Sequence, residues 1–523
     1  MTGAPDLLLR SGPGRGVLAA TILGSGVASL DATVVTVALP RIGSDLDAGL
    51  TALQWTVNAY TLTLAGLLLL GGSLGDRLGR RRVFLVGVIW FTLASLGCAL
   101  APTAGVLIGM RALQGVGAAL LTPGSLAILE AVFRAEDRAA AVGAWSGLGG
   151  VATAVGPVVG GVLIGVAPWG WRLAFLLNLP LAAAVIWLAL RFVPETRDEQ
   201  ATGRLDVPGA VLAAVGLALV VYGLTIGPRD WSAMPVVSLA AGVVVLAAFL
   251  VVEARGAAPM MPLTLFADRD FSAANVVTFM VYAALSGAFF LLPVQLQRVG
   301  GFSPVAAGSA LLPVTVIMLL LSARMGRLAQ RIGPRWPMTV GPVVAAAGLA
   351  SYLRIGADAS YLVDVLPEVV LFGLGLSITV APLTATVLAA APPHQVGVAS
   401  AVNNDVARAA GLLAVAVLPA LAGITPHAYD RPAELSSGFH TAMLICAGLC
   451  AAGGVLSALL VRGRPAAVEA ARKVDATVLQ PRCGIDAPSG RASVTVGCRA
   501  ASAGAGGQPL VEGGPAQPGL RAG

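Results

Sequence analysis

Fourteen stretches of predominantly apolar residues, each about 18 or more long, run through the chain between charged or Pro/Gly-rich connectors. They begin near residues 17, 55, 83, 105, 139, 173, 208, 235, 271, 305, 338, 362, 398 and 439. A helix needs about 20 residues to cross the hydrocarbon of a bilayer, and a backbone there must satisfy all its own hydrogen bonds. The chain is therefore expected to fold as an all-α integral membrane protein with fourteen transmembrane helices. Its composition agrees, since only 11% of residues are charged and mean hydropathy is +0.85, against about a quarter charged in soluble domains.

An even number of spans puts both ends of the chain on one side. The stretch Gly72–Arg82, GSLGDRLGRRR, carries one acid and four arginines between two apolar runs and reads as a short polar loop. Short loops rich in Lys and Arg stay in the cytoplasm. With both termini cytoplasmic, Arg41, Arg172, Arg229, Arg298, Arg354 and Arg431 fall outside and Arg111 and Arg408 within spans, while the rest of the 33 Lys and Arg lie inside. The run Val17–Leu39 is long enough to span and to act as its own start signal. After the tenth run comes a second Arg-rich, Gly-punctuated loop, ARMGRLAQRIGPR, from Ala323 to Arg335. That echo implies a repeated six-helix unit with two helices between the copies. The expected plan is a cytoplasmic tail at 1–16, a six-helix bundle at 17–193, a connector with the inserted pair at 194–270, a second bundle at 271–461, and a disordered cytoplasmic tail at 462–523.

Several function classes fall away. The one lysine, Lys473, lies in the tail, so no G-x-x-x-x-G-K-[ST] phosphate loop exists and no ATP is expected. The net charge of +7 is spread over loops between apolar runs, with no aromatic-interleaved stripe for nucleic acid. Cys98, Cys446 and Cys450 sit in apolar segments without His or acids at ligand spacing, so neither a disulfide framework nor a metal site is expected. Gly71-Gly72-Ser73-Leu74-Gly75 fits G-x-S-x-G but lacks a strand-turn-helix setting, and His394, His427 and His440 fall in loops or at a span edge. No enzyme is expected.

The informative residues are charges inside spans, which are costly in hydrocarbon and mark functional sites or tight pairs. Asp31 lies about eight residues from the outer end of the first run and Arg111 about six from that of the fourth, so their depths differ by about 3 Å at 1.5 Å per residue. The two can pair if their helices are neighbours. A carboxylate beside a water-reachable cavity can take up and release a proton as a substrate or arginine comes and goes, whereas a structural ion pair would simply lock two helices. Asp405 and Arg408 are three residues apart on one helix face, either a self-neutralising pair or a second titratable site. Glu368, near the outer end of the twelfth run, reads as reaching the interface. Gly149, Gly156, Pro157, Gly160 and Gly161 give the fifth span a kink and a nearly side-chain-free face. In the first Arg-rich loop, Asp76 is placed to cap a helix and bind arginines across the gap between helices. Its second-half counterpart is Gln330.

These motifs together resemble the Major Facilitator Superfamily, in its fourteen-helix drug/proton antiporter branch, over roughly residues 17–461. GSLGDRLGRRR is similar to that family's loop signature, with Gly72, Asp76, Arg77, Gly79 and Arg80 at its positions. LDATVVTVALP (Leu30–Pro40) is similar to the first-helix signature of the branch, with Thr36 where an Asn is usual. QWTVNAY, RALQGVGAA, GGVATAVGPVVGGVL, WRLAFLLNLP, PLTLFADRDF and VASAVNNDVARAAG also fit, and Asp405 stands where a small polar residue is more usual. The resemblance implies export of drugs or other amphipathic small molecules in exchange for protons, by alternating access, with the proton gradient as energy source and no cofactor. It further implies that the fifth-span glycines are the antiporter signature. Asp31, Arg111, Asp405 and Arg408 are the candidates for proton coupling or substrate contact, and Asp31 would favour cationic substrates. Asn58, Tyr60, Gln114, Trp145, Asn275, Gln295 and Asn403, polar or aromatic groups inside spans, are candidates to line the cavity. The expected partners are substrate, protons and the cell-membrane bilayer, with the chain acting as a monomer. The alternatives are an exporter of one metabolite or self-made antibiotic and, from another class, a non-transporting membrane sensor or scaffold.

Overall fold

The computed structural model describes residues 7–197, 206–227, 232–256, 259–392, 395–425 and 431–462. Among them fourteen helices are long and apolar enough to cross a membrane. They are α1 (Gly12–Asp45), α2 (Leu50–Leu78), α3 (Arg80–Ala99), α4 (Ala104–Val132), α5 (Glu136–Gly165), α6 (Trp171–Phe192), α7 (Val207–Ile226), α8 (Ala233–Arg255), α9 (Arg269–Arg298), α10 (Pro304–Ile332), α11 (Arg335–Arg354), α12 (Tyr361–Ala390), α13 (Val396–Leu421) and α14 (Pro432–Leu460). No strand occurs among the described residues beyond one isolated bridge between Leu7 and Phe133. The expected tail at 462–523 lies, from residue 463 on, outside the described residues, as do His394 and His427.

Each helix begins before its apolar run does, α14 at residue 432 rather than 439. Polar first turns remain helical where caps satisfy the first free N–H groups. The Ser11 hydroxyl accepts from Gly14 N, Asp206 from Gly209 N, and Asp268 from Asp270 N and Phe271 N.

The Arg-rich stretch corrects its reading as a loop. Residues 72–78 are the last turns of α2, residues 80–82 open α3, and the break between them is Gly79 alone, at φ +110°. An L side chain rarely adopts that backbone. The second copy repeats the device, with Gly333 at φ +89° between α10 and α11.

Helices α1–α6 pack as one bundle and α9–α14 as a second. Backbones meet closely where glycines remove side chains. A Cβ on Gly117 of α4 would lie 2.6 Å from Phe91 N of α3, and α11 and α12 repeat the arrangement with Gly348 facing Phe372. The inserted α7 and α8 pack on each other, and α7 also rests on α2 and α13 through Leu62, Val221, Leu412 and Ala416. The two bundles meet toward the end of the molecule opposite the one carrying Gly12 and Leu460. There Gln54 Nε2 donates to Val415 O at 2.7 Å, Gln297 Nε2 donates to Val37 O at 3.1 Å, and Gly161 of α5 faces the backbone of Val305 in α10.

Candidate functional site

The first bundle holds a polar network at mid-helix depth. Asp31 of α1 and Arg111 of α4 form the expected ion pair through Oδ2 and Nη1. Arg111 also donates from Nη1 to Gln114 Oε1 at 2.6 Å and from Nε to Thr56 O at 3.1 Å, and its guanidinium lies 4.3 Å from the Tyr60 ring centroid. Asp31 Oδ1 accepts from Gln114 Nε2 and Asn178 Nδ2, each at 2.9 Å, and both amides donate to Ser95 Oγ. Three helices thus meet at the carboxylate, and α2 and α3 join the network through Arg111 and Ser95. Ser95 and Asn178 were missed from sequence, although each is a polar residue in an apolar span.

This network is closed. Asp31 and Arg111 are each 1% exposed, Gln114 and Asn178 fully buried. A separate cavity of about 370 Å³ lies between the bundles. It is lined by α1 (Ala32, Thr33, Thr36), α2 (Val57, Asn58, Thr61), α9 (Tyr282 to Phe290) and α13 (Asn404 to Val415). Asp31 is absent from these walls although its neighbour Ala32 is present, because the carboxylate turns inward to Arg111. The expectation of a cavity-facing Asp31 is therefore corrected. The pair occupies the bundle interior and bridges α1 and α4.

Most expected lining residues are likewise placed elsewhere, and Asn58 alone of the seven lines this cavity. Tyr60 packs under Arg111 and donates to Ala28 O at 3.3 Å. Trp145 Nε1 donates to Ser25 Oγ at 3.0 Å inside the first bundle. Asn403 Nδ2 donates to Asn275 Oδ1 and Thr278 Oγ1 inside the second. Gln295 Nε2 donates to Ile355 O and Ser436 Oγ near the inter-bundle contact end. A polar residue in a span satisfies itself against its own bundle when it can. The cavity instead takes its aromatic wall from Tyr282, Phe289 and Phe290.

Arg408 lines the cavity, whereas Asp405 does not. The self-neutralising pair suggested by their spacing is not made, since Asp405 Oδ1 and Arg408 Nε are each buried without a hydrogen-bond partner. Glu368 does not reach for the interface either. It is 3% exposed, with Arg354 Nη1 3.7 Å from Oε1.

On the fifth span, Gly156 abuts Thr33 and Gly160 abuts Val34 of α1, while Gly161 faces α10. The carbonyl of Pro157 lies against Gly308. Gly149 departs from the close-packing reading, with nothing within 4 Å of its Cβ position. In the Arg-rich stretch, Asp76 of α2 pairs with Arg80 of α3 at 2.8 Å across the Gly79 break. A second acid, Glu195 after α6, also reaches the arginines, accepting from Arg81 N at 3.1 Å and lying within 4 Å of the Arg81 and Arg82 side chains. The G-x-S-x-G match is ordinary α2 helix, and the described residues hold no cluster of His, Cys, Asp and Glu able to bind a metal.

Two helical bundles with a cavity built from both of them have the architecture of a membrane carrier. The comparisons give the family: residues 21–416 match the model of the Major Facilitator Superfamily, and the chain belongs to that family. It is 37% identical over 390 residues to the multidrug resistance protein Stp of Mycobacterium tuberculosis, covering 74% of this chain and 72% of that one. It is 35% identical to the tetracenomycin C resistance and export protein of Streptomyces glaucescens, covering 77% and 75%. In fold it is similar to the crystal structure of a bacterial homolog of the human lysosomal transporter Spinster, inward-facing and unoccupied. There the TM-score is 0.63 at 16% identity, covering 85% of this chain and 96% of that one. The chain is a multi-pass membrane transporter of the drug-efflux kind and not an enzyme.

Proposed function

We propose that the protein exports amphipathic small molecules, antibiotics among them, from the cytoplasm in exchange for protons, by alternating access. The observation that carries this reading is the cavity shared by α1 and α2 of one bundle and α9 and α13 of the other. A site built half from each bundle changes its exposure when the bundles rock against each other. With both termini cytoplasmic, as the Arg distribution favours, the contacts at Gln54, Gln297 and Gly161 close the outer side, which is an inward-facing arrangement. Aromatic and aliphatic walls suit an apolar body.

Proton exchange rests on acids within the spans. With Asp31 locked to Arg111, Asp405 is the acid beside the cavity, its Oδ1 unpartnered and so able to hold a proton. The test is accumulation in cells lacking their own efflux pumps. Expression should lower steady-state uptake of at least one of an anionic, a neutral and a cationic amphipathic dye, and a protonophore should abolish the difference. Equal accumulation with and without the protein at the membrane would reject export. Export that survives the protonophore would reject proton coupling.

A further inference from the structure

We infer that the central cavity selects amphipathic acids, compounds whose anionic group pairs with Arg408 while Asn58 reads a neighbouring polar atom. This rests on the export reading above and names its substrate class. Among the described residues, the cavity walls hold one formal charge, the Arg408 guanidinium, and no acid. Asp405 makes no hydrogen bond to it, and Arg408 Nε is buried without a partner. Independently, Asn58 is 1% exposed, lines the same cavity, and has neither its amide nitrogen nor its oxygen hydrogen-bonded. A buried amide with both ends unpaired is unusual in a folded protein and points to a missing partner.

The wall threonines do not supply that partner. Thr33 donates to Leu30 O at 2.9 Å, Thr36 to Thr33 O at 2.7 Å and Thr61 to Val57 O at 3.2 Å, each spent on its own helix. The guanidinium and the Asn58 amide are unspent donors on this wall, in company with Tyr282, Ser286 and Asn404. Both suit a carboxylate, sulfonate or phenolate oxygen, and Asn58 Oδ1 suits a hydroxyl or N–H beside it. Leu285, Phe289 and Phe290 receive the apolar body. A cationic amphipath would place a second positive charge beside Arg408 with no acid in the wall to offset it.

The test compares three probes in inside-out vesicles with an imposed proton gradient. They are 8-anilinonaphthalene-1-sulfonate, N-phenyl-1-naphthylamine, which has the same skeleton without the sulfonate, and ethidium. The wild type should accumulate the sulfonate in preference to the other two. Arg408→Gln should cut the sulfonate-to-amine ratio about tenfold, and Arg408→Lys less, since a point charge remains. Accumulation of amine and ethidium without the sulfonate by the wild type overturns the inference and leaves export standing. So does an unchanged ratio in Arg408→Gln. Accumulation of none of the three overturns the export reading and the inference with it. The wild-type comparison decides the question even where a variant fails to reach the vesicles.

Discussion

Replacing Asp31 by Leu separates a lock from a coupling site. The carboxylate accepts one charged bond from Arg111 and one each from Gln114 and Asn178. The two amides keep Ser95 as an acceptor after the change, so the loss falls on Arg111. That guanidinium would retain Gln114 Oε1, Thr56 O and the Tyr60 face, with no counter-charge at 1% exposure. Leaving one member of a buried pair uncompensated costs about 3–5 kcal/mol, which is roughly two to three and a half decades in the folding equilibrium. Removing both charges in Asp31→Leu/Arg111→Met should recover more than half of the loss, because apolar groups of similar volume replace a buried pair at little cost. Arg111→Met alone leaves the carboxylate buried and unpaired at a like cost, so the cycle should show an interaction of at least about 2 kcal/mol. SDS-titrated unfolding of the four purified proteins in mixed micelles measures it. A single variant as stable as wild type but unable to transport would refute the lock and return Asp31 to proton coupling.

Further predictions follow from the glycines and from Glu195. Gly79→Ala forces an L side chain into φ +110° against the Glu195 carboxylate, and should cost about 1–3 kcal/mol. Gly143→Ala, with open space at its Cβ, should be neutral or mildly stabilising by the same unfolding assay. Gly161→Leu, whose Cβ would sit 2.6 Å from Val305 Cα, should hold the bundles apart at their contact end. It should raise labelling of a cysteine placed at Thr61 by a membrane-impermeant reagent added from that side, and unchanged labelling would reject the role given to this contact. Glu195→Gln removes half-exposed ion pairs to Arg81 and Arg82, so stability should fall by under about 1 kcal/mol. The maximal transport rate should fall while stability barely moves, and an unchanged rate would reject a role for these contacts in the transport cycle.

Helix number, the six-two-six order and the Asp31–Arg111 pairing were legible in the sequence because each follows from length, repetition or the cost of charge in hydrocarbon. Facing was not. In a helix apolar on every side, periodicity carries no signal for which stripe meets its own bundle and which meets the cavity. Asp31 and Ala32 are adjacent in sequence, yet one is sealed inside the bundle and the other lines the cavity. Tyr60, Gln114 and Asn403 were picked for polarity, and polarity is what drew them to partners within their bundles. The Arg-rich stretch was read as loop because its charge excludes hydrocarbon, but exclusion from hydrocarbon does not end a helix. Gly79 does, and its positive φ has no hydropathy signature. Glu195 was invisible for a different reason, since it reaches Arg81 from a segment more than a hundred residues away in sequence.

The central claim is that substrate movement and proton movement are one event in this molecule. Purified protein in sealed liposomes, with a pH-sensitive dye trapped inside and no ATP present, tests it most directly. On addition of 8-anilinonaphthalene-1-sulfonate to one side, the lumen should change pH in step with substrate uptake, in the direction opposite to substrate flow, and Asp405→Asn should uncouple the two. Substrate uptake with no change in lumen pH would contradict the account.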